Sequence, residues 1–180
     1  MARIVAEDFL CRAKPGKESL RRFLPSPFHA PMITAIHVLN GPNLNLLGQR
    51  EPEVYGHETL AMIEARLAAT CKTRGVDLHF RQTNHEGELV TWVQDAGLAG
   101  QPIILNAGAY SHTSIALHDA IKGTRARVIE VHLSNIHARE SFRHVSLISP
   151  VAHGVILGFG AASYDLAIEA LLSDRADFKS

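Results

Sequence analysis

The chain alternates between two kinds of hydrophobic pattern, short β-branched runs and longer stretches of helical spacing. Ile33 to Leu39 (ITAIHVL) is apolar at nearly every position, the mark of a strand covered on both faces. After a loop rich in Asn, Gly and Pro, Leu60, Ile63, Leu67 and Cys71 recur at the 3.6-residue period, and Gly75 is placed to end that helix. Val76 to Gln82 (VDLHFRQ) is the second strand. Asn84 is positioned to cap a helix whose Leu89, Trp92, Val93 and Ala96 form one apolar stripe, ending near Gly97 or Gly100.

Pro102 to Gly108 (PIILNAG) reads as a third strand, followed by a helix from His112 to Lys122 that Gly123 ends. Ala126 to Leu133 (ARVIEVHL) is the fourth strand. One helical turn around Arg139 to Arg143 precedes a fifth strand, Gly154 to Gly160, and a last helix from Ala161 to Leu172. Strands that alternate with helices of this length imply parallel pairing with right-handed crossovers, hence an α/β open parallel sheet with helices on both faces. In such a sheet ligands sit beyond the carboxyl ends of the strands. The segments after strands one, three and four carry most of the polar residues able to do chemistry.

Composition sharpens this picture in two places. The 180 residues carry 18 Lys plus Arg against 18 Asp plus Glu, but the balance is uneven. Residues 1–31 hold six basic and three acidic side chains with four prolines, leaving twelve against fifteen for the rest. Residues 1–31 therefore read as a basic N-terminal extension, disordered or upstream of a natural start at Met32, and 32–180 as one domain. The extension lacks the apolar core of a secretory signal, and no stretch reaches the length of a membrane span. An acidic body is a poor electrostatic match for nucleic acid. Cys11 and Cys71 are too few for a disulfide framework or a thiolate metal site, and a reducing cytoplasm suits them.

The residues favour general acid–base chemistry over the alternatives. Eleven histidines raise the question of a metal, yet no HExxH or Cys–His cluster occurs. No GxSxG elbow is present, and Cys71 lies on the apolar face of its helix. The turn GFGAAS, Gly158 to Ser163, resembles a dinucleotide loop only loosely and follows the last strand, so a non-catalytic module for a small metabolite or nucleotide is the rival reading. Tyr55, five residues after Arg50 in a loop, is a candidate base, because a guanidinium nearby favours the phenolate. His132 can supply a proton near neutrality, and Glu130, two residues earlier on the strand, is on the same side to orient it.

Together NGPNLNLLGQREPEVYG, QTNHEG, ILNAGAYSHTS, EVHLSNIHARESFRHVS and GVILGFGAASYDLAIEA closely resemble the type II 3-dehydroquinate dehydratases over about Met32 to Leu172. The resemblance implies a flavodoxin-like sheet and a dehydration of 3-dehydroquinate to 3-dehydroshikimate, in the shikimate pathway, without metal or cofactor. It makes Tyr55 the base, Arg50 the cation beside it, Asn43 a stabiliser of the enolate through a water, His132 the acid and Glu130 its orienting carboxylate. Asn106, His112 and Arg143 would hold the ring hydroxyls, and Leu133 with Ser134 the carboxylate. Asp119, seven residues after His112 and so expected on the same helix face, would reach a neighbouring subunit's site in a homododecamer built of trimers. Ser111 replaces the family's common Thr at what reads as the helix cap.

Overall fold

The computed structural model describes residues 33–48 and 58–173. Five strands, β1 Ala35–Asn40, β2 Asp77–Gln82, β3 Ile103–Asn106, β4 Val128–His132 and β5 Gly154–Leu157, form one sheet in the order β2-β1-β3-β4-β5. Every pairing is parallel. This is the order expected of a flavodoxin-like sheet, with its switch point between β1 and β3.

Burial follows position in that order. All residues of β1, β3 and β4 are buried, whereas the edge strand β2 alternates between exposed and half-buried positions. Four helices cover the faces: α1 Leu60–Thr73, α2 Glu86–Leu98, α3 Ile115–Thr124 and α4 Ala162–Leu172. Ile63, Leu67 and Cys71 of α1 pack with Ala167, Ile168 and Leu171 of α4 against Ile36, Val38, Ile104 and Ile129. On the other face Leu89, Val93 and Ala96 of α2 pack with Leu117 and Ala120 of α3 against Leu39, Leu105 and Val128. Each large aliphatic side chain so buried contributes about 1.5–3 kcal/mol.

Four local expectations fail, each for a reason visible in the local geometry. Asn84 does not cap α2, whose N-cap is His85; its side-chain oxygen instead accepts from Asn43 N–H and from Gln82 Nε2, both at 3.0 Å. The stretch from His112 is not one helix. A 3₁₀ turn over Gly108–His112 stops, and α3 starts afresh behind Ser114, whose hydroxyl takes the Leu117 N–H at 2.9 Å. Ser111 is therefore not the cap but a buried residue whose hydroxyl oxygen has no hydrogen-bond partner among the described residues. Gly123 lies inside α3, and Arg125, at φ 54°, makes the left-handed C-cap in its place.

Candidate active site

The carboxyl ends of β1, β3 and β4 open into a cleft of about 130 Å³. Its first wall is the segment after β1. Gly41 sits so close to the β3 segment that a Cβ would lie 2.7 Å from the Ala107 carbonyl carbon, which leaves only glycine there. Asn43 follows in the left-handed region at φ 66°, a conformation asparagine tolerates better than most residues, and Asn84 pins its N–H.

The β3 end supplies Asn106, Gly108 and Ala109, and beyond them His112. The carbonyl of Val145 accepts from His112 Nδ1 at 2.8 Å, so that nitrogen carries a proton and Nε2 is the one left for a ligand. The His112 and His132 rings lie nearly parallel with centroids 6.4 Å apart.

The β4 end supplies His132, Leu133 and Ser134, with Ile136, Arg139 and Arg143 from the two 3₁₀ turns that follow. Glu130 and His132 share a face of β4, as residues two apart on a strand must. Glu130 has no exposure and accepts from His132 Nε2 at 2.8 Å, from the Ser146 hydroxyl at 2.6 Å and from the Ser149 hydroxyl. Burial pushes its pKa up, but these three donors outweigh burial and hold the carboxyl below its ordinary value. His132 is thus gripped through Nε2, which leaves Nδ1 without a hydrogen bond among the described residues. Arg143 Nε pairs with Glu140 at 3.0 Å, and its guanidinium stacks on Phe142 with the carbon 5.0 Å from the ring centre.

Of the residues singled out in the sequence, Asn43, Asn106, His112, His132, Leu133, Ser134 and Arg143 line this one cleft, with Glu130 directly behind. Arg50 and Tyr55 lie outside the described residues. Asp119 is exposed on α3, does not line the cleft and shares no helix with His112. Several participants were not anticipated: Arg139 in the cleft wall, Ser146 and Ser149 on Glu130, and Tyr164 of α4. The fully buried Tyr164 hydroxyl donates to Asn40 Oδ1 at 2.6 Å and accepts from Asn106 Nδ2 at 2.9 Å. A tyrosine in an otherwise aliphatic helix stripe was the available signal, since a buried phenol needs a partner.

The rival readings find little purchase. In the GFGAAS turn the Gly158 N–H donates to the His132 carbonyl at 3.2 Å and the Gly160 N–H to that of Leu133 at 2.8 Å, so neither faces a phosphate. The turn closes β5 onto β4, with both glycines at positive φ. Among the described residues no three His, Cys, Asp or Glu side chains converge as a metal-holding group.

Comparison with known proteins gives a consistent answer. The profile of the dehydroquinase class II family matches residues 34–172. A 3-dehydroquinate dehydratase of Sinorhizobium medicae is 59% identical over 140 residues, spanning 78% of this chain and 95% of that protein. One from Azorhizobium caulinodans is 59% identical over 145 residues, or 80% and 97%. Among solved structures, the type II dehydroquinase of Propionibacterium acnes superposes with a TM-score of 0.74 at 43% identity, covering 79% of this chain and 98% of that one. The enzyme of the same type from Butyrivibrio crossotus gives 0.75 at 40%, covering 78% and 99%.

Proposed function

The chain belongs to the dehydroquinase class II family, and from that premise we propose that it eliminates water from 3-dehydroquinate to give 3-dehydroshikimate through an enolate, with Tyr55 as base and His132 as acid. Membership makes it a hydro-lyase of the shikimate pathway. The observation that carries the mechanistic reading is the Glu130–His132 pair at the head of a cleft walled by Asn43, Asn106, His112, Ser134 and Arg143.

The steps follow from the chemistry of these groups. Tyr55, as the phenolate beside Arg50, removes the proton next to the ketone and leaves an enolate, whose oxygen is stabilised from the Asn43 side. The enolate then collapses and the carbon–oxygen bond to the tertiary hydroxyl breaks. His132 gives that oxygen a proton from Nδ1, releasing water, and ends neutral with Nε2–H still on Glu130. Asn106, His112 and Arg143 bind the ring hydroxyls, while Ser134 and the Leu133 backbone hold the carboxylate, as suits a small anionic polyol.

Ultraviolet absorbance of the conjugated enone product tests the activity directly. Folded full-length protein should produce a rise with 3-dehydroquinate, and none at all would sink the proposal. Tyr55→Phe should abolish turnover with the melting temperature unchanged; residual activity near that of the parent would remove Tyr55 from the base role.

A further inference from the structure

We propose that Tyr164 is a positioning residue for the reaction, fixing through its hydroxyl which end of the Asn106 amide meets the substrate. The inference rests on the reading above, in which Asn106 binds a ring hydroxyl.

The argument is one of hydrogen-bond direction. The backbone carbonyl of Arg81 can only accept, so Asn40 Nδ2, 3.0 Å away, must be the donating end of that amide. Asn40 Oδ1 therefore points at Tyr164 and can only accept, which forces the phenol proton toward it across 2.6 Å. With its proton committed, the phenol oxygen offers only lone pairs to its other neighbour, and Asn106 must present Nδ2, at 2.9 Å. The remaining Asn106 oxygen receives the Gly108 N–H at 3.3 Å. A flipped Asn106 would set oxygen against the Tyr164 lone pairs and NH₂ against the Gly108 N–H, losing both bonds at once.

Location gives this relay its purpose. Asn40 and Asn106 are register partners at the ends of β1 and β3, either side of the switch point, and Asn106 lines the cleft. Asn40 and Tyr164 are fully buried and Asn106 nearly so, so no solvent competes for the bonds. The second Nδ2 hydrogen and the second Oδ1 lone pair of Asn106 then meet the ligand in one arrangement only, a fixed donor and a fixed acceptor for a hydroxyl. Tyr164 itself does not touch the cleft.

A kinetic double-mutant cycle with 3-dehydroquinate tests this. Tyr164→Phe is expected to raise KM about tenfold while changing kcat less than about threefold, the pattern of lost ligand binding rather than lost chemistry. In an Asn106→Ala background the same substitution should move KM by less than about twofold, because there is no amide left to orient. An unchanged KM for Tyr164→Phe, or the same increment in both backgrounds, overturns the proposal. Should Tyr164→Phe not fold, Asn40→Ser breaks the relay at its other link and is read by the same cycle. Folded parent protein without turnover would sink the dehydratase reading instead, which keeps the two failures apart.

Discussion

A carboxylate without solvent is hard to ionise unless donors surround it, and Glu130 has His132, Ser146 and Ser149. Because its folded pKa lies below the ordinary 4.5, it adds stability at pH values above 4.5 that is lost as pH falls through the lowered value. Ser149→Ala removes one donor without touching the Ser146 hydroxyl, which also receives the Ile148 and Ser149 N–H groups. This variant is expected to lose about 1.5–3 kcal/mol at pH 7 by urea denaturation and to begin its acid decline at a higher pH than the parent. Coincident stability–pH curves would dissociate Ser149 from Glu130. His132→Ala should lower kcat by about 10² to 10⁴-fold with folding intact, as expected for a lost acid.

Among the elements, the turn after β1 is where backbone approach decides the site. Gly41→Ala would drive a methyl into the Ala107 carbonyl and is expected to cost about 1–3 kcal/mol by thermal or urea melting, with loss of turnover as the Asn43 and Asn106 walls separate. A parent-like melting temperature would show that the two segments yield easily. Apolar periodicity had indicated all five strands and four helices, since β1, β3 and β4 are buried runs and α1 and α2 carry clean stripes. It misled where short polar side chains had a choice of partners. Asn84 and Ser111 both read as caps, but tertiary contacts claimed the first and the restart of the helix at Ser114 bypassed the second. Which strand-end residues line the cleft was legible from motif and position. Tyr164, Ser146 and Ser149 reach the site across 58, 16 and 19 residues, distances no local pattern encodes.

For the molecule as a whole, the family match begins at residue 34, beyond the basic segment 1–31. Protein starting at Met32 is expected to keep kcat and KM within about twofold of the full chain; a larger loss in the enone assay would give the segment a part in catalysis. The reach of the exposed Asp119 into a neighbour, which the family resemblance implies, is a proposal that light scattering tests: it expects twelve times the 19.7 kDa chain mass. A monomeric mass with full activity would end that proposal. The order of the elements also bears on how the enzyme is made. Synthesis proceeds from the N-terminus, and a nascent chain complete through Leu157 already contains all five strands of the described residues. It still lacks the phenol that orders Asn40 and Asn106 and the two glycine amides that tie down the His132 and Leu133 carbonyls. The bonds that order the carboxyl-end cleft therefore form only when the last turn and the final helix dock, after all five described strands have been made.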